Sequence, residues 1–338
     1  MPSLTSRNQP GRREDISDVI AVVDARQTPI SSMIPKGTEP TNPLMSWQAD
    51  DYLDPQIVGV VEDKDRTEFE NHVGRISLSG RIQITERAPK VSRIAQNVSD
   101  VAGVGRKKEM AKSVAKAITV AKRDIECRIL CDDDSQEDNG VVGYETRGLF
   151  KWIQSTPQTD LPVPEKARTP STSIYTGAWA SIDETLLRET ILGSIWDETG
   201  TMGNFQFVVG RALKTLITGW TIYSPNVASN TVIRTFQQTD STVLRASVDR
   251  IEGDFGSLEI QTSPWLHREL DLSIAANKTR AQRSGLILDA DMLEIRYAER
   301  PNFRHFEDQG GGPRGLVEAI WGLVVKNPRG MGKVDPTS

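Results

Sequence analysis

The chain is poor in the residues from which most enzyme centres are built. It has three histidines, His72, His267 and His305, and two cysteines. No two histidines stand at H-x-x-x-H spacing, and no G-x-S-x-G elbow raises a serine as a nucleophile. No G-x-x-x-x-G-K-[ST] loop is available for a phosphate, and Gly103-Val104-Gly105 lacks the third glycine and the preceding strand of a dinucleotide fingerprint. Cys127 and Cys131 lie one helical turn apart. That spacing is not a disulfide framework, and two thiols without a third Cys or His nearby make a poor zinc site. They read as reduced, mostly buried thiols, which implies synthesis in a cytoplasm. No apolar run approaches the ~20 residues of a membrane span. The opening MPSLTSRNQPGRRED has no apolar core behind its charges and does not read as a signal peptide. An excess of basic charge is missing too. Net charge is −5 and the isoelectric point about 5.5, which argues against a dedicated nucleic-acid binder with a large basic surface. A neutral or weakly acidic face towards nucleic acid remains open. No internal repeat or low-complexity tract is visible.

What is present is a globular composition, 37% hydrophobic and 26% charged over 338 residues, enough for about two domains. The chain is organised around residues 106–131, RKKEMAKSVAKAITVAKRDIECRILC, which contain neither Pro nor Gly. Met110, Val114, Ala117, Ile118, Ala121, Ile125 and Ile129 recur at steps of three and four, the apolar stripe of an α-helix. Such a helix is about 39 Å long, roughly twice the globular average. Its ends carry charge of the unfavourable sign. Arg106, Lys107 and Lys108 sit at the positive end of the helix dipole, and Asp132, Asp133 and Asp134 at the negative end. Either these ends are solvated or they face other chains. Lys112 and Lys116, with Arg123 nearby, form a charged helix face that is either solvated or turned to DNA phosphates.

Residues 75–85, RISLSGRIQIT, give the clearest strand pattern. Ile76, Leu78, Ile82 and Ile84 alternate with polar positions such as Arg81, and Gly80 marks a bend or bulge. The antiparallel partner runs from residue 44 towards 52 through Trp47. The result is a hairpin near 36 Å long, which is unstable alone and for which the rest of the chain offers no obvious support. Before it, residues 1–14 read as an arm and 15–24 as a short helix. Residues 26–47, with four prolines between Pro29 and Pro43, read as extended chain lying along something else. Ser181 and Glu184 fit a capping box opening a helix to Trp196, ended by Gly200. Short strands follow around 205–210, 231–236, 241–253, 257–262, 285–289 and 293–299, with a helix at 212–217 and a turn at 253–256. Residues 315–327 are apolar on both faces and belong inside a covered sheet. Six of the tryptophans, Trp47, Trp152, Trp179, Trp196, Trp265 and Trp321, read as core or interface anchors. The acidic loop 132–138 has the alternation of a calcium loop, but Glu137 stands where glycine is required. The histidines read as surface or half-buried.

The order of these parts resembles the major capsid proteins of tailed bacteriophages, with the Hong Kong-ninety-seven-type capsid fold. Asp24, Thr28, Pro29 and Trp47 in the N-terminal region are similar to one subfamily, as are Val91, Ser92, Gly105, Arg106 and Glu109 leading into the long helix and Asp124 and Glu126 within it. TRGLFKWI (146–153), the turn from Trp196 to Gly200, DFGSLEI (254–260) and Asn327-Pro328 also match. The resemblance implies an α+β fold: an N-terminal arm (1–45), an extended hairpin or E-loop (46–88), and a peripheral domain (89–177) with its spine helix at 106–131. An α/β axial domain (178–310) and a closing strand with C-terminal tail (311–338) follow. It implies no catalytic site, no cofactor and no metal. The partners it implies are copies of the chain in hexamers and pentamers, portal, scaffolding and decoration proteins, and packaged double-stranded DNA held non-specifically. There is no membrane partner. Residues at neighbouring subunits would be Trp47, Ile76, Leu78, Arg81, Ile82, Ile84, Arg106, Lys107, Lys108, Asp132, Asp133 and Asp134. Those facing DNA would be Lys112, Lys116 and Arg123. No Lys–Asn crosslinking pair is identified, and because the chain starts almost at the arm, a separate scaffolding protein is expected. The site of action would be the virion, after assembly in the host cytoplasm. Two other readings are an encapsulin-like compartment shell and, in a different class, a metal-dependent hydrolase using the 132–138 loop.

Overall fold

The structure, a computed structural model, describes residues 27–50, 52, 55, 57–62, 65, 74–98, 104, 107–200, 202–220 and 248–336. The helix expected at 15–24, the strand at 231–236, most of 241–253, Arg106 and His72 lie outside these residues. By its internal contacts the chain divides into two units. One comprises Met1–Gln27, Glu86–Arg123 and Pro301–Glu318; the other comprises Thr28–Thr85, Asp124–Arg300 and Ala319–Ser338.

Two sheets order the strands. The first runs β1-β2-β9-β8, from β1 (Leu44–Ala49), β2 (Ile76–Arg87), β9 (Arg314–Val325) and β8 (Leu293–Phe306). The hairpin expected from the alternation is β1 and β2, antiparallel, with Trp47 opposite Leu78. Its base does have support within the chain, contrary to expectation. β2 lies beside β9, Leu78 is fully buried in the main core, and Trp47 Nε1 donates to the Val325 carbonyl at 3.0 Å. The alternation along β2 also changes phase. Leu78 and Gly80 are buried, then Arg81 and Thr85, which leaves Ile82 half-buried and Ile84 52% exposed. The register with β1 is continuous through Gly80 and Arg81, opposite Met45 and Leu44, so the bulge allowed by the sequence does not form in that ladder. β9 alternates over its first half and is buried on both faces from Trp321 to Val325, so the two-sided reading holds for that half.

The second sheet is mixed, in the order β3-β10-β7-β4-β6-β5. Its strands are β3 (Ile174–Tyr175), β10 (Gly332–Val334), β7 (Gly285–Leu288), β4 (Gly203–Val209), β6 (Gly256–Thr262) and β5 (Arg250–Gly253). β5 and β6 are the hairpin expected at 253–256. β10 corrects the expectation of a C-terminal tail. It pairs parallel to β3 and antiparallel to β7, inside the sheet. Three residues carry too short a pattern to read as a strand.

The helices are α1 (Pro29–Met33), α2 (Arg93–Asn97), α3 (Glu109–Ile129), α4 (Leu149–Trp152), α5 (Leu192–Thr199), α6 (Arg211–Trp220) and α7 (Ala275–Arg283). α1 replaces expected extended chain, and Ile30 and Ile34 enter the main core. α5 continues a π-helical turn, Leu186–Ile191. The capping box does not form; the Asp183 carboxylate accepts from the Leu186 amide at 2.7 Å, and Ser181 ends a separate 3-10 turn. Gly200, at φ 64°, closes α5 in the left-handed conformation that suits glycine. Trp152, Trp265 and Trp321 are buried, Trp47 and Trp179 half-buried, and Trp196 partly exposed.

Candidate assembly surfaces

The spine helix is α3, 21 residues long and five shorter than expected. On it Met110, Ala117, Ala121, Ile125 and Ile129 are buried, as the periodicity requires, while Val114 is half-buried. Its first turn is closed by a side chain from α2. Gln96 Oε1 accepts from the Met110 amide at 2.9 Å, and Gln96 Nε2 donates to the Lys107 carbonyl at 2.6 Å. Lys107 sits at φ 64° and stops the helix from extending backwards. Lys107 and Lys108 therefore lie before the helix, exposed, rather than inside its first turn. Lys112, Lys116 and Arg123 fall within about 40° of one another around α3 at 3.6 residues per turn, away from the buried stripe. Lys116 is exposed, and Lys112 and Arg123 are half-buried.

The carboxylates after α3 have partners within the chain. Asp132 meets Arg280 Nη2 at 2.8 Å, Asp133 meets Arg128 Nη1 at 3.3 Å, and Asp134 meets Arg147 Nε at 2.6 Å. Arg128, in the last turn of α3, also donates to the carbonyls of Thr146 (2.7 Å) and Asp134 (3.0 Å). A cation thus stands at the negative end of the dipole, and the expected penalty is offset locally. Neighbouring subunits are not needed to explain these charges. A hydrolase metal is not explained by them either: Asp132 and Asp134 are committed to arginines. Among the described residues no three His, Cys, Asp or Glu cluster as metal ligands.

Arg147 is buried and anchors this region. It bonds to Asp134, to the Asp160 carbonyl and to the Leu161 carbonyl at 3.0 Å, and its guanidinium lies 4.6 Å from the centroid of Trp152. Burial alone would raise the Asp134 carboxyl, but Arg147 and the amides of Asp160 and Ser135 hold it below its ordinary range. Asp160 is also held low, chiefly by its bond to Arg81. Arg81, expected at a subunit contact, is buried and forms ion pairs with Asp160 (2.9 Å) and Glu137 (3.0 Å). With Leu78 in the core and Ile76 packed against it, the hairpin base is occupied by this chain's own contacts. Ile84 remains open.

The apolar surface that stands free lies farther out on the hairpin. Tyr52, Ile57, Val58, Val60 and Val61 are all exposed, Tyr52 at 99% and Ile57 at 96%. This β-branched run was hidden in the sequence by the charges that follow it. His267, expected at or near the surface, is fully buried; its Nδ1 is 2.9 Å from Glu269 Oε1 and its ring packs on Phe150. Cys131 is buried, and its thiol is pushed up to about 12 by desolvation, so it is inert at neutral pH. No helix among the described residues is long and apolar enough to cross a membrane.

A family model described as SU10 major capsid protein matches residues 3–338. The chain belongs to that family. As an SU10-type major capsid protein it is a component of the virion capsid and associates with copies of itself in the capsid lattice. Solved phage capsid structures agree on the fold. The Cyanophage A-1(L) capsid asymmetric unit is similar at a TM-score of 0.66 and 13% identity, over 99% of this chain and 100% of that one. The Cyanophage P-SCSP1u capsid is similar at 0.62 and 10%, over 100% and 99%. The capsid of a native GTA particle is similar at 0.60 and 12%, over 99% of each. A search of curated proteins finds no match. The α+β phage capsid fold expected from the resemblance is therefore the fold of this SU10-type chain.

Proposed function

We propose that this chain forms the hexamers and pentamers of an icosahedral or prolate shell that encloses double-stranded DNA, and that its role is structural rather than catalytic. The full-length family match carries the reading. The physical mechanism is repeated burial: each hairpin (46–88) lies on a neighbour through Tyr52 and the run Ile57–Val61, each arm (1–45) threads along another, and many modest contacts add up to a closed lattice. The exposed valines support this, because a free patch of that kind on a subunit marks an interface. Ile84, Lys107 and Lys108, all exposed, are the remaining contact candidates from the sequence. In this reading residues 89–177 form the peripheral domain, 178–310 the axial domain and 311–338 the closing strand, followed by β10 in place of a tail.

The DNA-facing surface is Lys112, Lys116 and Arg123. In support, segments 86–98, 107–123 and 301–318 hold eleven Lys and Arg against five Asp and Glu, in a chain whose net charge is −5. Such local positive charge gives weak, salt-sensitive contact with phosphates. Scaffolding and portal proteins, and a decoration protein where one exists, are the expected partners, with assembly in the host cytoplasm. Light scattering of the purified protein with and without a co-expressed scaffold tests the reading. Assembly to particles or capsomers is expected; a monomer under every condition would overturn it.

A further inference from the structure

Glu126 is the one aspartate or glutamate that is fully buried among the described residues. Among the described residues no cation pairs with it. Its Oε1 accepts from the Ile30 amide at 2.9 Å and its Oε2 from the Ser31 amide at 2.6 Å. These are the first-turn N–H groups of α1, which Thr28, at the N-cap, does not satisfy with its own side chain. A five-residue helix is far below the length that is stable alone. α1 exists because a carboxylate some 95 residues away in sequence, on α3, replaces its missing cap, and because Ile30 and Ile34 are buried. Just beyond it, Ile295 donates to the Pro35 carbonyl and Gly37 donates to the Ile295 carbonyl, both at 2.9 Å.

We propose that Glu126 is a latch holding the root of the N-terminal arm, residues 28–37, on α3, and that the latch opens as a local event separate from unfolding of the body. The proposal rests on the reading of the arm given above and assigns it a control point. The root is joined to the body by two short backbone bonds at β8, by Ile30, Ile34 and the partly buried Met33 against the core, and by the carboxylate, so its local stability lies at the low end of what such a fold contains.

The response to pH has a defined sign. Burial raises the Glu126 carboxyl above its ordinary range, against the bonds from Ser31 and Ile30 that lower it. The groups around it are few. α1 brings no titratable side chain, β8 brings Tyr297, whose own neighbour is Arg300, and α3 carries Lys122 and Arg123 one turn before Glu126, Asp124 beside them, and Arg128, which is engaged by Asp133 and Glu145. A carboxyl that is raised when docked contributes docking stability that is fully present below its free value and lost as pH rises through the docked one. A fall in pH therefore tightens the root, and a rise through the raised carboxyl value loosens it.

Hydrogen exchange on the full-length, unassembled protein tests the latch. Peptides covering 28–37 are compared with peptides covering 321–325 in the core, after correction for intrinsic rates. In wild type, exchange at 28–37 is expected to quicken as pH rises while 321–325 stays constant. In Glu126→Ala, exchange at 28–37 is expected to be roughly tenfold faster or more, since two charge-assisted bonds are lost, and no longer pH-dependent. Unchanged exchange at 28–37 in the variant, or equal acceleration of 321–325, would overturn the proposal. Should the variant fail to fold, the wild-type series decides: exchange at 28–37 no faster than at 321–325 overturns the latch. If the root opens in Glu126→Ala and shells still form normally, the latch stands and the reading of the arm on its neighbours fails.

Discussion

Replacing Arg147 by methionine removes the charge and keeps most of the volume. Arg147 is 1% exposed and serves one carboxylate and two carbonyls, Asp134, Asp160 and Leu161, while stacking on Trp152. Without it, the Asp134 carboxylate retains only amides, from Ser135 (2.8 Å), Thr159 (2.8 Å) and Asp160 (3.1 Å). Breaking a buried pair by removing one partner typically costs 3–5 kcal/mol. Asp134 is about one-sixth exposed and can recover some hydration, so a loss of about 3 kcal/mol is expected. Its pH dependence should also reverse. Asp134 is now held low, so its contribution is present above the ordinary aspartate range and is lost as pH falls through the lowered value. In Arg147→Met only those amides oppose burial, the carboxyl rises from its present low value, and the variant should be relatively less impaired in mild acid than at neutral pH. The assay is urea unfolding of wild type, Arg147→Met and Arg147→Lys in the same association state, checked by light scattering, at pH 5 and pH 7. Arg147→Lys keeps the charge without the fork and should fall between the two. A loss below about 1 kcal/mol at pH 7, or a variant more impaired in acid than at neutrality, would refute the reasoning.

Other outcomes follow from the same contacts. Deleting residues 54–72, or changing Val58 and Val61 together to aspartate, should leave a folded subunit that does not close shells, read by circular dichroism and electron microscopy. Normal shells would end the hairpin argument. Wild-type thermal stability should drop as pH falls below the ordinary carboxylate range, because Asp134, Asp160, Glu269, Glu294 and Asp335 are all held low and lose their contribution on protonation. Gly210→Ala should cost more than about 2 kcal/mol by urea unfolding, since a Cβ there would meet the carbonyls of Gln282 and Ala281 at 2.4 and 2.5 Å. Lys112→Gln, Lys116→Gln and Arg123→Gln together should lower the salt concentration at which DNA leaves opened particles, without affecting assembly.

The parts of the fold that were legible in the sequence are those with a long, regular repeat. The α3 stripe and the β1–β2 alternation each extend over enough residues to fix a face. The α1 turn and β10 were not legible, because five and three residues span only about one and a half periods each, too few to establish a pattern. The phase change at Gly80 and Arg81 was invisible because a buried arginine looks like a solvent-facing one until Asp160 and Glu137 are placed beside it. The same limit explains the aspartates after α3. Sequence gives their charge but not Arg280 or Arg147, which come from 148 and 13 residues away. Glu126 followed the helical pattern as one more polar residue beside the stripe, and only α1 gives it a role. The valines at 58–61 are legible as β-branched residues, but the mixed charges that follow them give no sign that they stand uncovered.

The central claim is that this chain builds a closed shell from copies of itself. Electron microscopy of the purified full-length protein, alone and with a co-expressed scaffold, tests it most directly. Closed shells, tubes, or rings of five and six subunits are predicted. A uniform field of single subunits or dimers under both conditions would contradict it.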